Sequence, residues 1–211
     1  MTADAVKLVL ATHNAHKVEE LRRILGPLLD PSSASREPGI NLVGYDGPEP
    51  VEDGETFQEN ALIKARAAFL HTGLPAIADD SGICVDALGG APGIHSARYA
   101  GTRVDADNVA HLLAELTRAG ADAPADRRAE FCCAAAFVTE GFEHVELGVW
   151  TGTVLSEPTG ANGFGYDPVF QPDGYDVASA ELTADEKNAI SHRRRAFTQL
   201  LPIVRERLRQ R

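Results

Sequence analysis

Two neighbouring aspartates follow an apolar run and are the first candidates for chemistry in this sequence. Asp79 and Asp80 come directly after residues 74–78 (LPAIA), which predict a buried strand ending at the pair. In open α/β sheets, ligands collect at the carboxyl ends of strands. Two adjacent carboxylates repel each other unless a cation or a proton intervenes, and Mg²⁺ binds through one or two carboxylates plus substrate phosphates. A carboxylate left over can orient or deprotonate a water. A solvated Asp-Ser-Gly turn is the alternative, but the buried strand before the pair favours a functional site.

Residues 12–17 (THNAHK) lie where a predicted strand over residues 6–12 passes into a helix. The free backbone N–H groups and the dipole of a helix start attract an anion. Lys17 falls in the first turn, where its charge opposes the dipole, and a phosphate between the helix start and the ammonium relieves that conflict. The alternative, an Asn14 N-cap beside an incidental exposed Lys17, has equal support. A Walker A loop is excluded because its glycines and GK[ST] ending are absent.

An acidic segment, EPVEDGE at residues 49–55, precedes a predicted helix. Glu52 is the candidate in this segment to complete a metal shell with the aspartates. Thr56-x-x-Glu59 is a capping box that opens the helix, which gives Glu59 a structural role instead. By itself, such a run of acids is more typical of a solvated loop.

A glycine-rich turn around Phe164 (NGFGYDP) is a candidate for recognising a planar ligand. Glycines on both sides leave the ring available to stack on a flat group. Lys187, His192 and Arg193 offer donors of the kind that recognise keto oxygens on a purine edge, and Asp167 can accept from a ring N–H. Taken alone, this region is better explained as a turn before an edge strand, followed by a solvated helix.

Apolar patterns place these candidates on alternating strands and helices, with an antiparallel ribbon in the second half of the chain. Strands are predicted over residues 6–12, 40–44, 74–78, 131–139, 144–154 and 168–170, and helices over residues 15–25, 56–71 and 105–119, with two more at the end of the chain. The ribbon turns at residues 140–141, and residues 30–39 are predicted to form a loop. The pattern indicates an α/β protein.

Composition narrows the classes of function. The length of 211 residues predicts one domain over residues 1–211, or two lobes around one cleft. The formal net charge of the chain is −11. An acidic body disfavours non-specific nucleic-acid binding. No apolar run approaches the roughly 20 residues that span a bilayer, so we expect no membrane partner. Residues 192–211 hold seven Arg and one Glu, a basic helix that can hold one anion, although charge alone favours a solvated face.

Cysteine usage and the N-terminus bear on the cellular compartment. Cys84, Cys132 and Cys133 form no even framework and are interpreted as buried thiols in a reducing cytoplasm. The N-terminus lacks the basic region and the small-residue cleavage site of a secretory signal.

Five segments, taken together, closely resemble the noncanonical purine nucleoside triphosphate pyrophosphatases, the inosine/xanthosine triphosphate pyrophosphatase family. In that family's order, the segments are LATHNAHKVEEL, ETFQENALIKARAA, PAIADDSGICVDALGGAPGIHSARYAG, GFGYDPVF and EKNAISHRRRAF. They cover nearly the whole chain. One departure is His13, where the family usually has Gly or Asn.

The resemblance implies an elongated mixed α/β sheet with two lobes around a central nucleotide-binding cleft, usually in a cytoplasmic homodimer. It also implies Mg²⁺-dependent hydrolysis of inosine or xanthosine triphosphates, ribo or deoxy, to the monophosphate and pyrophosphate. Such a reaction removes deaminated purines from the nucleotide pool before a polymerase uses them.

Residue by residue, the resemblance makes Asp80 a Mg²⁺ ligand and the proton acceptor for the attacking water, with Glu52 as a second metal ligand. The triphosphate is expected to contact Thr12, His13, Asn14, Ala15, His16 and Lys17. The other substrate contacts are expected from Ser81, Phe164, Gly165, Tyr166, Asp167, Lys187, His192 and Arg193.

Base choice would depend on a 6-keto oxygen that accepts from Arg193 or Lys187. Adenine presents an amine at that position and leaves buried donors unpaired, which is a strong basis for rejection. Two alternatives of other kinds are a nucleotide-sensing module that binds without hydrolysis and a metal-dependent phosphomonoesterase. Concentrated metal-binding acids argue against the sensor, and the phosphorus product distinguishes the two enzymes.

Overall fold

One mixed sheet organises the residues that the computed structural model describes, which are 5–29 and 39–210. Its strands are β1 (Val6–Leu10), β2 (Ile40–Gly44), β3 (Ala76–Val85), β4 (Arg128–Thr139), β5 (Phe142–Val154) and β6 (Phe170–Pro172). Their order across the sheet is β2-β1-β3-β4-β5-β6. Strand β1 pairs in parallel with β2 and β3, whereas β5 and β6 are antiparallel. The predicted α/β class is therefore confirmed, as is the antiparallel ribbon with its turn at residues 140–141.

Five α-helices accompany the sheet in the described residues: α1 (Ala15–Leu29), α2 (Phe57–Thr72), α3 (Asp105–Arg118), α4 (Ala184–Ile190) and α5 (His192–Arg209). The capping box predicted for α2 is present, since Thr56 Oγ1 accepts from the Glu59 N–H and Glu59 accepts from the Thr56 N–H. A left-handed Gly73 ends the same helix. In the described part of the chain, no helix is long and apolar enough to cross a bilayer.

Several predicted boundaries differ from the structure, and one predicted segment lies almost entirely outside the described residues. The strand predicted over residues 6–12 ends at Leu10. The strand predicted over residues 168–170 is displaced to Phe170–Pro172, because Asp167–Val169 forms a 3-10 turn. The predicted loop at residues 30–39 lies, except for its last residue, outside the described residues.

The prediction that a strand ends at the aspartates is wrong, because Asp79 and Asp80 lie inside β3. The strand continues because the residues beyond the pair are also buried, among them Ile83 and Val85. Strand β1 pairs with β3 only as far as Ile77. The aspartates therefore lie past the carboxyl end of β1, which preserves the expected position at the end of a parallel strand.

The chain divides into two compact units, each built from separate segments of sequence. Unit 1 contains the described residues of Met1–Asp80, Ala134–Gly148 and Arg193–Arg211, and unit 2 contains Ser81–Cys133 and Val149–His192. In unit 1, fully buried alanines of α2 pack with small residues of β3 and β4, so helix and sheet approach closely. Unit 2 has a core of larger side chains, including Leu112, Leu116, Trp150 and Phe170.

Gly82 lets β3 pass close to the turn that follows it in unit 2. A Cβ at residue 82 would collide with the Gly93 carbonyl oxygen and Ser96 Oγ, and the Ser96 hydroxyl accepts from the Ile83 N–H. The backbone carbonyl cannot move aside without shifting the turn. Glycine is therefore required here by close approach rather than by its backbone angles.

We predict that Gly82→Ala lowers the free energy of unfolding by about 1–3 kcal/mol, the usual cost of overpacking. The matched control is Gly26→Ala in α1, where a Cβ meets no atom within 4 Å and a helix favours alanine over glycine. Urea denaturation of both variants measures the difference. Equal stability of the two variants would contradict the close approach.

Candidate active site

The pleat of β3 separates the two neighbouring aspartates, since successive side chains on a strand point to opposite faces. Ala76 and Ala78 pack in the same core cluster as the alanines of α2, and Asp80 shares their face and contacts Lys64 of that helix. Asp79 points to the other face, where it contacts Lys17 of α1. Adjacent carboxylates thus have different partners.

Asp79 is fully buried and accepts from two cations on different helices. Its Oδ2 lies 3.0 Å from Lys17 Nζ and 3.2 Å from Arg193 Nε. Arg193 also donates through Nη1 to Glu20 Oε2 at 2.8 Å. Lys17 and Glu20 are three residues apart on α1, so they lie on the same face of that helix. We call these four residues the Asp79 cluster, and it joins β3, α1 and the start of α5.

The charges around Asp79 set its protonation state. Burial alone raises the pKa of this carboxyl, but the opposite charges of Lys17, Arg193 and Lys64 outweigh burial and hold the pKa well below its usual range. Asp79 is therefore ionised at neutral pH and committed to the protein's own cations.

Asp80 has a different environment. Lys64 Nζ lies 2.8 Å from Asp80 Oδ1 and 3.4 Å from Glu52 Oε2, and we call these three residues the Asp80 cluster. Burial raises the pKa of Asp80 above its usual value, because the attraction of Lys64 and Lys17 does not fully offset it. Burial lowers the pKa of Lys64, but the negative charges of Asp80, Asp79 and Glu52 together outweigh burial. The pKa of Lys64 is therefore raised above its usual value, and Lys64 keeps its proton.

The Asp80 cluster suits a divalent cation that is shared with a phosphate. Two carboxylates, Asp80 and Glu52, already face one positive group. Within residues 5–29 and 39–210, no group of three or more His, Cys, Asp or Glu side chains is arranged to hold a metal ion. Mg²⁺ does not need such a group, since it is usually bound by one or two carboxylates with phosphates and waters completing its shell.

The loop at residues 12–17 has features of both interpretations of the sequence. Asn14 is an N-cap, because its Oδ1 accepts from the Lys17 N–H at 3.2 Å, and Thr12 Oγ1 accepts from the Asn14 N–H. Lys17 is not incidental, however, since its ammonium is bound to Asp79. The negative charge that compensates for Lys17 in the first turn is supplied by the protein itself.

His13 links this loop to the segment after β2. Its Nε2 lies 3.0 Å from the Gly47 carbonyl oxygen, and its ring contacts Tyr45 with centroids 5.4 Å apart. The Tyr45 hydroxyl donates to the Pro48 carbonyl, which fixes the same segment. The ring contact between His13 and Tyr45 needs an aromatic side chain. Gly and Asn, the residues usual at this position in the family that the sequence resembles, have no ring to make it.

The basic C-terminal helix is not simply a solvated face. Besides the ion pairs of Arg193, Arg194 donates to the Ile24 carbonyl at 3.2 Å and Arg205 donates to the Leu28 carbonyl. Both carbonyls lie near the C-terminal end of α1, where cations are favoured by the helix dipole. Much of the positive charge of α5 therefore stabilises α1.

Asp167 organises the predicted glycine-rich turn in unit 2. It accepts from the Phe164 N–H at 2.8 Å, from Lys187 Nζ at 2.6 Å and from Ser179 Oγ at 2.9 Å. Gly163 has a positive φ of 75°, and a Cβ there would collide with the Asp167 carboxylate. Lys187 Nζ lies 5.1 Å from the centre of the Phe164 ring. These residues form the aromatic turn cluster. The alternative that places His192 and Arg193 on a solvated helix is wrong, because both side chains are buried.

The remaining predicted residues of unit 2 are also placed by specific contacts. The His192 ring is buried and stacks on Phe131, with centroids 4.8 Å apart and planes 9° apart. Tyr166 is buried and donates its hydroxyl to the Ser96 carbonyl, and burial raises its pKa. Gly165 donates its N–H to Asp105, and Ser81 is half-buried. Arg193, grouped with these residues from sequence, makes its ion pairs in unit 1.

Two charged residues of the clusters, Lys64 and Glu20, were not predicted from the sequence. Each is an immediate neighbour of an apolar stripe, since Lys64 precedes the buried Ala65 and Glu20 precedes the buried Leu21. Charged side chains are rarely buried unless they are paired. A charged residue directly beside the buried positions of a helix could therefore have indicated a paired charge at both places.

Comparison with known proteins identifies the family. The model of the Ham1 family matches residues 8–203. The chain belongs to the Ham1 family. It is 54% identical over 203 residues to a protein of Leifsonia xyli subsp. xyli named dITP/XTP pyrophosphatase, covering 95% of this chain and 96% of that protein. A Streptomyces avermitilis protein of the same name is 52% identical and is covered to 98% of its length, with 96% of this chain aligned.

Solved structures of this family share the fold. A HAM1 protein from Coxiella burnetii has a TM-score of 0.81 at 40% identity, over 95% of this chain and 99% of that one. A dITP/XTP pyrophosphatase from Mycobacterium abscessus has a TM-score of 0.72 at 45% identity, over 94% of this chain and 100% of that one. The resemblance inferred from the five sequence segments is confirmed.

We predict that the two aspartates differ in their contribution to stability. Asp79→Asn removes the charge that two buried cations share, and breaking a buried pair in this way costs about 3–5 kcal/mol. Asp80→Asn should lower the free energy of unfolding by less, because burial already disfavours the ionised form of Asp80. In addition, Lys64 still has its ion pair with Glu52 in that variant. Urea denaturation of both variants at neutral pH and without added metal measures the order. A larger loss for Asp80→Asn would contradict the assignment.

Proposed function

We propose that this Ham1-family chain hydrolyses noncanonical purine nucleoside triphosphates, such as dITP, ITP and XTP, to the nucleoside monophosphate and pyrophosphate. The observation that carries the proposal is the Asp80 cluster, in which two carboxylates and an ammonium converge beside the ionised Asp79. The names of the relatives support the same activity. A cytoplasmic homodimer follows from the family resemblance and stays a prediction.

The triphosphate is bound by cationic groups of unit 1 in this proposal. Lys17 and Lys64 have buried or half-buried side chains whose ammonium groups contact carboxylates of β3. The start of α1 adds backbone N–H groups, which attract an anion through the helix dipole. Local positive charge is needed because the chain as a whole has a net charge of −11.

Asp80 and Glu52 would hold Mg²⁺, since they are the two carboxylates that face the same positive group. When bound, Mg²⁺ would supply Lewis-acid stabilisation of the charge on the phosphate under attack and would favour deprotonation of a water. Asp80 is also the proposed acceptor of the proton of the attacking water, as the family resemblance implies. Asp79 keeps Lys17 in place through its ion pair.

The aromatic turn cluster would recognise the base. The Phe164 ring offers a stacking surface, and Lys187 lies beside it as a donor for a 6-keto oxygen. Asp167 positions both, because it accepts from the Phe164 backbone and from the Lys187 ammonium. An amine at the 6-position, as in adenine, would leave a buried donor unpaired, which is the proposed basis of discrimination. Arg193 and His192 are the other proposed base contacts.

We predict that the purified chain releases pyrophosphate from inosine triphosphate when Mg²⁺ is present and that chelation of the metal abolishes release. Adenosine triphosphate is the matched control and should be hydrolysed at least about 100-fold less efficiently. Separate detection of pyrophosphate and orthophosphate identifies the product. Orthophosphate as the primary product would indicate a phosphomonoesterase, and tight binding without any product would indicate a sensor, so either result overturns the proposal.

We predict that Asp80→Asn lowers turnover about 100- to 10,000-fold, the range expected for loss of a positioned base. Asp53→Asn is the control, because Asp53 is an exposed acid of the same segment as Glu52. Initial rates of pyrophosphate release at saturating substrate measure the effect. Near-normal turnover of folded Asp80→Asn would remove this residue from the mechanism.

We predict that Lys17→Ala weakens substrate affinity about tenfold or more, because a hydrogen bond to a charged group contributes about 1.5–3 kcal/mol. Lys7→Ala, at an exposed position of β1, is the matched control. Binding of a non-hydrolysable inosine triphosphate analogue is measured by calorimetry on protein whose fold has been verified by circular dichroism. Unchanged affinity would show that the first loop does not contact the triphosphate.

A further inference from the structure

Two cysteines on neighbouring strands of unit 2 form a pair that has no role in the proposed hydrolysis. Cys84 lies on β3 and Cys132 on β4, and these strands are adjacent in the sheet. Their side chains hydrogen bond to each other. Cys133, the next residue, points to the opposite face of β4 and is fully buried.

The two paired thiols are accessible, in contrast to the sequence-based interpretation of all three cysteines as buried. Cys84 and Cys132 are half-buried, and only Cys133 fits that interpretation. Buried structural cysteines are inert, whereas reactive cysteines combine thiolate character with partial exposure. Access therefore separates the pair from Cys133.

Hydrogen bonding makes the two thiols chemically unequal. The hydrogen bond from Cys132 lowers the pKa of Cys84 and outweighs burial and the nearby acids, Glu130 and Asp86. The contact with Cys84, burial and the nearby Glu130 raise the pKa of Cys132, whose Sγ lies 3.3 Å from Glu130 Oε1. The Glu130 carboxylate lies beside Cys132 Sγ and disfavours a thiolate there, so Cys84 is the thiol that would react first and Cys132 is the adjacent thiol that would react with it next.

We propose that Cys84 and Cys132 are a reversible oxidation site that takes hydrogen peroxide and closes to a disulfide. The Cys84 thiolate sulfur attacks one peroxide oxygen, the O–O bond breaks, and the departing hydroxide gains a proton to become water. Cys84 is then a sulfenic acid. The Cys132 sulfur attacks the Cys84 sulfur, the S–O bond breaks, and hydroxide leaves as a second water with the Cys132 proton. Two thiols are oxidised, and one peroxide is reduced to two waters.

The disulfide would link β3 to β4 and close a loop over residues 84–132, which includes α3. A cross-link of this kind stabilises a protein mainly by restricting its unfolded chain. We expect the oxidised chain to unfold at a temperature higher by on the order of 5 °C, and a thiol reductant should reverse the shift.

Peroxide treatment of the full-length chain without nucleotide or metal tests the proposal. Remaining thiols are alkylated, and peptides are mapped without reduction. Because Cys132 and Cys133 are adjacent in sequence, the assignment uses Cys133→Ala beside the wild type. A Cys84–Cys132 linkage is expected in both proteins. Cys84→Ser and Cys132→Ser are the matched controls: neither should form it, and Cys132→Ser should accumulate a sulfenic acid on Cys84 that dimedone traps.

Three results would overturn the proposal. The first is full alkylation of Cys84 and Cys132 after peroxide treatment, which would mean that the pair does not react. The second is a linkage that forms only after denaturation. The third is a linkage that involves Cys133 in the wild type and disappears in Cys133→Ala.

Discussion

The ion pairs of the buried Asp79 are the interaction on which the arrangement of unit 1 depends. A carboxylate without exposed surface is stable in its charged form only if cations compensate for lost hydration. Lys17 and Arg193 provide that charge from two helices that are far apart in sequence. The same contacts fix the start of α1, where the predicted phosphate loop ends, so one carboxylate positions several groups that have their own proposed roles.

The contrast between Asp79 and Asp80 follows from the pleat of a single strand. One face of β3 presents its carboxylate to two cations, and the other presents its carboxylate to a lysine that Glu52 shares. The first carboxyl has a lowered pKa and the second a raised one. Asp79 and Asp80 have identical side chains, so their opposite pKa shifts come from their surroundings. Asp79 can therefore stabilise the fold while the neighbouring Asp80 is available for the proposed reaction.

Local patterns in the sequence predicted most of the fold, and they selected Asp80 and Glu52, which the structure brings together around Lys64. The capping box at Thr56 and the turn at residues 140–141 both have local causes, and both were predicted correctly. The continuation of β3 past Asp80 was not predicted, because its cause is burial by distant residues. Lys64 and Glu20 were missed for the same reason, since their ion partners are remote in sequence.

The most direct test of the separate roles of Asp79 and Asp80 is the binding of Mn²⁺ in place of Mg²⁺. Electron paramagnetic resonance measures that binding in the presence of a non-hydrolysable inosine triphosphate analogue. We expect the wild type to bind the ion, folded Asp80→Asn to lose it, and Asp79→Asn to retain it under conditions where that variant is folded. Unchanged ion binding by Asp80→Asn, together with its loss in folded Asp79→Asn, would overturn the assignment of the metal to Asp80.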